Sequence, residues 1–320
     1  MVPLANILMY RDVREPADSP WPRRYRQPGF ARPAQLAAQL DRLAAAGRPV
    51  VPLSAILAAL AGGPPLPGGA VALSFDHGLA DHFRVVLPLL TERGLSAAFF
   101  LPAAPIIERR MIAAHKIEFV LAAADTEQDL VAAVYDLVAE HRQAATALPH
   151  PPPSWEDGHS GADWARQMSF VTRLLRTGLP AGVRDAVVDS LFATFVTGDE
   201  TALATDLYLS LAQARALAEA GMEVGGHGLT ATNLQGLPPR AQSAEISQSA
   251  GFLRHLVGVA DGLLFSYPHG GWDEATLDAL PAQGFVGALT GHRAHVATGD
   301  DPFRLPRYDA ARDFELALTP

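Results

Sequence analysis

Residues 71–101 read VALSFDHGLADHFRVVLPLLTERGLSAAFFL, and this stretch decides the fold. Ala70 to Phe75 is an apolar run of strand length that stops abruptly at Asp76-His77-Gly78. His82 to Arg93 carries its apolar residues at helical spacing. It is closed by Gly94, because glycine adopts the left-handed conformation that ends a helix without steric cost. Ala97 to Leu101 is the next strand. A strand, a helix and a strand in direct succession imply a crossover connection and a parallel sheet.

The same alternation extends in both directions. Leu4 to Met9 is a short apolar strand ending at Tyr10-Arg11, and Arg14 to Arg32 is a proline- and arginine-rich surface loop. Pro33 to Ala46 is a helix with Leu36, Leu40 and Leu43 on one face, stopped by Gly47. Val50 to Leu60 reads as a short strand plus a helix. After Leu101 the pattern breaks. Residues 107–207 hold mostly helical segments: Met111 to Ala124, Glu127 to His141, Ala162 to Arg176, Pro180 to Thr194 and Glu200 to Leu207, with a polar, proline-rich loop at Pro149 to Ser160. The alternation then resumes with helix Ser210 to Ala220, strand Met222 to Gly225, helix Pro239 to Val257, strand Gly262 to Tyr267, helix Asp273 to Ala282 and strand Val286 to Leu289. Residues 1–106 and 208–320 are therefore expected to form a parallel α/β barrel, with 107–207 inserted as a helical subdomain.

Composition narrows the function classes. The chain has 320 residues, no cysteine and a net charge of −9, so disulfides are excluded and a general nucleic-acid binder, which shows a basic face, is not expected. No run of 18 apolar residues is present, so no membrane span is expected. Met1 to Tyr10 is apolar but lacks a basic leader and a small-residue cleavage site, and the protein is expected in the cytoplasm. Lys116 is the only lysine. A compact point charge could be required there, but a salt-bridging helix lysine is the simpler account.

Three strand ends present polar groups: Ser74-Phe75-Asp76-His77-Gly78, Gly225-Gly226-His227-Gly228 and Phe265-Ser266-Tyr267-Pro268-His269-Gly270. In a parallel barrel these ends share one mouth, where catalytic groups collect. Asp76 could act there as a general base, and His77 and His227 could bind a metal through neutral imidazole nitrogens. A lone Asp-His pair at a strand end is often a turn or helix-cap feature. Gly225-Gly226 is no phosphate loop, because no Gly-Lys-Ser/Thr signature follows. His141, His150, His159 and His255 read as ordinary solvated residues.

These motifs resemble the polysaccharide deacetylases, carbohydrate esterase family 4, with their NodB-homology domain. The family's first motif, Thr-Phe-Asp-Asp-Gly at a strand end, is Ser74-Phe75-Asp76-His77-Gly78 here, and the likeness runs through residues 71–101. Its His-x-x-x-His motif corresponds to EVGGHGLTATNLQGL at 223–237, with His227 first and Ala231 where the second His belongs. Its Phe-x-Tyr-Pro-x-Gly strand is FSYPHG at 265–270, and the opening ILMY and closing PFRLPRY are also similar. The likeness is greatest to the branch found among cell-surface polysaccharide loci, whose helical insertion also carries a His-Lys-Ile stretch.

The resemblance implies a distorted (β/α)7 barrel and a divalent metal, usually zinc, held by the motif's second Asp and both His. It implies Asp76 as the base, His227 as a retained ligand and Tyr267 as part of the oxyanion site. Pro268 and His269 become candidates for substrate contact. Arg307 in LPRY is expected either to close the barrel mouth or to pair with Asp76, as a structural ion pair or as a substrate contact. The departures are specific. His77 replaces a ligand Asp, Ala231 a ligand His, and Arg11 stands where the branch often has His. The late catalytic-acid His has no clear match, although His269, His292 and His295 are nearby. His77 can still ligate zinc, whereas alanine cannot, so a third ligand would come from His82, His115 or His269; for His82 the alternative is a solvated helix start.

Two functions stay open. The first is a hydrolase removing an N-acyl group from a sugar or sugar nucleotide in cell-surface polysaccharide synthesis. The second is a non-catalytic carbohydrate-binding or scaffold protein that has lost its metal. A homodimer is expected only if the inserted helices expose an apolar face.

Overall fold

The computed structural model describes residues 3–15, 30–124, 126–141, 168–259 and 261–318. The chain divides into two compact units. The first comprises Met1–Asp18, Pro28–Arg110 and Ala204–Pro320, and the second comprises Ser19–Gln27 and Met111–Leu203. Most of the expected loop Arg14 to Arg32, the loop Pro149 to Ser160, the start of the helix expected from Ala162, and His150 and His159 lie outside the described residues.

The first unit is a distorted (β/α)7 barrel. Its elements run β1 (Pro3–Tyr10), α1 (Pro33–Ala45), α2 (Leu53–Leu60), β2 (Val71–Asp76), α3 (Leu87–Thr91), β3 (Ala98–Leu101) and α4 (Ala103–Ile107). The second unit follows with α5 (Ala113–Ala123), α6 (Glu127–Glu140), the helical residues 168–173 as α7, α8 (Ala181–Phe195) and the first half of α9 (Glu200–Leu207). The barrel resumes with α10 (Leu211–Glu219), β4 (Glu223–Gly226), α11 (Pro239–Val257), β5 (Leu263–Ser266), α12 (Glu274–Ala282), β6 (Phe285–Leu289), β7 (Val296–Ala297), β8 (Tyr308–Asp309) and α13 (Ala310–Leu318). Strands β1 to β6 pair in parallel in chain order, and β8 pairs in parallel with the other side of β1.

The ring closes through one segment near the C-terminus. Leu305 pairs with Leu289 at the end of β6, while Tyr308, three residues on, pairs with Leu8 of β1. The Leu305 N–H donates to Ala288 O at 3.0 Å, and the Thr290 N–H donates to Leu305 O at 2.8 Å. Neither this closure nor the short antiparallel β7 is visible in the periodicity of the sequence, because the strands are only two residues long; nor is α13 among the expected helices, although its buried Ala310, Phe314 and Ala317 recur at helical spacing.

Alternation along the strands separates two cores. Leu8, Leu73, Phe99, Leu101 and Phe265 face outward against the helices. Ile7, Ala72, Ala98, Phe100, Leu264 and Leu289 fill the barrel interior, together with Leu53 and Ile56 of α2. Glu223, at the start of β4, accepts from Leu53 N (2.7 Å) and Ser54 N (2.8 Å), which fixes the N-terminus of α2. Following the inward face up β2 gives Ala72, Ser74 and then Asp76, so the acid points into the barrel at its C-terminal end.

Two local expectations change. The strand expected from Val50 is reduced to one bridge, Val50 to Val71, because Pro49 and Pro52 cannot donate to a ladder. The helix expected over 82–93 begins as a π-helical turn, His82–Val86, in which Leu87 N–H reaches back to His82 O. Pro88 follows in the first turn of α3 and has no N–H with which to restore the α register.

In the second unit, α5 is buried on several sides through His115, Lys116, Ile117, Glu118, Phe119 and Val120. Lys116 is an ion-pairing residue: its Nζ lies 2.6 Å from Asp189 and 2.8 Å from Glu200, and 5.7 Å from the Phe192 ring centre. Glu118 pairs with Arg176. Among the described residues no helix is long and apolar enough to cross a membrane.

Candidate active site

Three strand ends and the closing segment build one buried network. Arg307 donates from Nη1 to Asp76 Oδ1 (2.9 Å), from Nη2 to Ser266 Oγ (3.0 Å) and from Nε to Thr290 O (3.0 Å). Ser74 Oγ donates to Leu8 O at 2.8 Å and lies 3.4 Å from Arg307 Nη1. The Arg307 and Asp76 side chains are only 2% and 4% exposed. Arg307 therefore both sits in the closing segment and pairs with the acid. Burial alone would push the Asp76 carboxyl up. The charges of Arg307 and His227, the Arg307 hydrogen bond and the charge of Arg11 outweigh it, and the carboxyl is held below the usual range. Asp76 is thus a carboxylate at neutral pH.

His227 follows β4, where Gly225 and Gly226 leave no room for side chains: a Cβ would meet Phe100 at 2.7 Å at the first position and Ser249 Oγ at 2.4 Å at the second. Its Nδ1 lies 2.9 Å from Ser266 O. A carbonyl only accepts, so Nδ1 carries the proton and Nε2 keeps its lone pair. Burial pushes this imidazole down to about 4, against the pull of Asp76. Ser266 links the two halves of the site, holding His227 with its carbonyl and Arg307 with its hydroxyl.

His77 sits in the left-handed region with φ 80, followed by Gly78 with φ 60. This is a conformation in which histidine is among the more tolerated non-glycine residues. A Cβ on Gly78 would lie 3.1 Å from Leu101 Cδ2. The His77 and His227 rings are 5.4 Å apart. Two imidazoles on one tetrahedral zinc, with Zn–N about 2.0–2.1 Å, have ring centres about 5.2 Å apart. The spacing and the His227 tautomer fit a divalent ion. Ala231, buried with φ 55, supplies no donor. Its loop is instead held by Glu245 of α11, which accepts from Leu229 N (2.7 Å), Thr230 N (3.0 Å) and Thr230 Oγ1 (2.8 Å).

Four expected site residues, Tyr267, Pro268, His269 and His82, are engaged elsewhere or face elsewhere. Tyr267 does not offer a donor to an oxyanion, since its hydroxyl donates to Phe303 O (3.0 Å) and its N–H to Leu289 O (3.0 Å). Pro268 is buried in a 3-10 turn. His269 is exposed with φ 57, close enough to His227 for its charge to act there. His82 is neither a solvated helix start nor an available ligand. It is fully buried between Phe75 and Phe99, both ring centres 5.6 Å away, with Nε2 on Arg11 O at 2.7 Å, and burial pushes it down to about 4. His115 is fully buried on α5 of the second unit, and His292 and His295 are exposed.

Sequence reasoning missed Ser74, Ser266 and Thr290 as partners of Arg307. A polar residue at an inward position of an otherwise apolar strand was the available signal for the two serines. Asp12 stands just past the end of β1, as Asp76 and His77 stand at the end of β2, and it is fully buried.

Residues 190–288 match the family model described as polysaccharide deacetylase. No curated protein matches the sequence. Among solved structures, IcaB from Ammonifex degensii superposes with a TM-score of 0.60 at 16% identity, covering 99% of this chain and 98% of its own. Streptococcus pyogenes deacetylase PplD in complex with acetate gives 0.59 at 14% identity, covering 100% of both chains. A de-N-acetylase from Aggregatibacter actinomycetemcomitans gives 0.54 at 16%, covering 95% of this chain and 93% of its own. The strand-end motifs, the family match over 190–288 and the barrel that closes through Leu305 and Tyr308 agree: this chain resembles the polysaccharide deacetylases and has their NodB-type fold.

Proposed function

We propose that the protein is a metal-dependent deacetylase that removes an N-acyl group from a sugar, in a polysaccharide or a sugar nucleotide, during cell-surface polysaccharide synthesis. The observation that carries this reading is the Asp76–Arg307–Ser266–His227 network at the C-terminal end of the barrel. It keeps a carboxylate ionised beside a neutral imidazole whose free lone pair is set by a backbone carbonyl.

His77 and His227 would hold the divalent ion, which when bound polarises an amide carbonyl and acidifies a water. Asp76 is the general base. Arg307 occupies its Oδ1, and Oδ2 takes no hydrogen bond among the described residues, so that oxygen can accept the proton of the attacking water. Arg307 fixes the carboxylate rotamer and keeps it deprotonated. Proton return to the leaving amine falls to His269, the exposed imidazole beside His227.

The test is amine release from N-acetylglucosamine oligomers and from an N-acetylated sugar nucleotide, with zinc or cobalt supplied. The wild type should turn over at least one of them, and Asp76→Asn should lower kcat by about 10²–10⁴. Metal-loaded protein that binds the oligomers with or without chelator, yet releases no amine, would establish the non-catalytic reading instead.

A further inference from the structure

We propose that Ser266 is a positioning residue that serves the two halves of the site through different oxygens. Its hydroxyl aims the Asp76 carboxylate through Arg307, and its carbonyl separately orients His227, so loss of the hydroxyl disables the base without loosening the metal. This rests on the metal-dependent reading above, but the restraint on Arg307 is a property of the chain alone.

Three observations carry it. The first is register. Phe265 stands opposite Gly226 in the parallel pair β4–β5, and Ser266 and His227 each follow by one residue. The Ser266 carbonyl therefore meets His227 Nδ1, at 2.9 Å. The second is how the guanidinium is anchored. Nε donates to Thr290 O and Nη2 to Ser266 Oγ, each at 3.0 Å, while Nη1 donates to Asp76 Oδ1 at 2.9 Å. Ser74 Oγ, at 3.4 Å, shares Nη1 with Asp76, so among the described residues Ser266 is the one side chain that holds Nη2. The third is burial. Ser266 is fully buried and Arg307 is buried, so an Nη2 that loses this acceptor has no bulk water to turn to.

The consequence for the reaction is geometric. A guanidinium is a rigid planar fork, so fixing Nε and Nη2 fixes the direction of Nη1. Nη1 in turn holds Oδ1 of Asp76 and thereby sets where Oδ2 meets the attacking water. With Nη2 released, the plane can turn about its remaining backbone contact and carry the carboxylate with it. Misplacing a reacting group by about 1 Å costs about 10²-fold in rate. The anchor on His227 is different in kind. It is a backbone carbonyl, which remains when the side chain at 266 is changed, so the imidazole keeps its tautomer.

The experiment compares the full-chain wild type with Ser266→Ala, Ser266→Cys and Ser266→Thr. Ser266→Ala should lower kcat for amine release by about 10–100-fold, the range that loss of an outer-sphere partner costs, with KM unchanged. Its Zn²⁺ affinity, by competition against a chromophoric chelator, should equal that of the wild type. Ser266→Cys, which fills the space with a weak acceptor, should share the defect, and Ser266→Thr, which restores the hydroxyl, should recover kcat. In an Arg307→Met background Ser266→Ala should change kcat no further, because the hydroxyl acts only through the guanidinium. Without metal or substrate, ¹⁵N-resolved NMR should show separate Nη proton signals for Arg307, identified by their absence from Arg307→Met, and these should merge in Ser266→Ala. A wild-type kcat in both Ser266→Ala and Ser266→Cys, or unchanged Arg307 signals in Ser266→Ala, overturns the assignment. So does a Zn²⁺ affinity that falls in step with kcat, which would mark a general loosening of the site. A wild type that releases no amine defeats the deacetylase reading instead, and the Arg307 signals then decide the assignment by themselves.

Discussion

Arg307→Met should expose how strongly the buried pair holds the barrel closed. The methionine keeps most of the aliphatic volume but removes the donors to Asp76, Ser266 and Thr290 O, which lie at 2.9, 3.0 and 3.0 Å. Asp76 is then left 4% exposed with its cation gone. Breaking a buried ion pair from one side costs about 3–5 kcal/mol, because the remaining charge has neither water nor partner. The penalty should also depend on pH. In the wild type the depressed Asp76 carboxyl contributes stability above its unfolded value, and this is lost as pH falls through the folded one. In the variant burial is less opposed and the carboxyl rises, so protonation relieves the penalty and the two proteins converge in acid. Removing both charges, as Asp76→Asn with Arg307→Met, should cost less than the sum of the single changes by about 2 kcal/mol or more. The assay is urea unfolding of the wild type, both single variants and the double variant, without metal, at neutral and mildly acidic pH. An Arg307→Met cost below about 1 kcal/mol at neutral pH, or additive single effects, would refute the claim that this pair is the site's electrostatic anchor.

Stability should fall as pH drops from 6.5 towards 4, because His82 and His227 remain neutral when folded and protonate when unfolded. With folded values of about 4, each contributes about 3 kcal/mol of this loss. His82→Phe, which keeps a ring against Phe75 and Phe99, should flatten the dependence of Tm on pH, and an unchanged slope would count against it. Gly78→Ala places a side chain at φ 60 and 3.1 Å from Leu101, and should cost about 1–3 kcal/mol in denaturant unfolding. A variant as stable as the wild type would show that the turn relaxes freely. Glu245→Gln weakens three hydrogen bonds to the 229–230 loop and should cost about 2 kcal/mol. It should also speed hydrogen exchange at the Leu229 and Thr230 amides, and unchanged exchange there would contradict the anchoring role.

The barrel was legible where periodicity runs long enough. The helix expected over Pro239–Val257 has those bounds in the structure, and Ser210 caps α10 through a capping box with Gln213. The strands from β1 to β6 fall within a residue or two of their apolar runs, because inward and outward faces are both buried and the run is continuous. The closure was illegible, since two-residue strands carry no period and Leu305 recognises β6 only once the ring is formed.

At the site, what a residue is could be read, but not what already occupies it. Tyr267 has the hydroxyl an oxyanion would need, yet the closing segment brings Phe303 O within 3.0 Å and takes that proton. His82 begins a helix in sequence and looks solvated, yet the π-helical turn rolls it between two phenylalanines and onto Arg11 O. Asp76 and Arg307 are separated by 231 positions, and only a ring that closes back on β1 can join them.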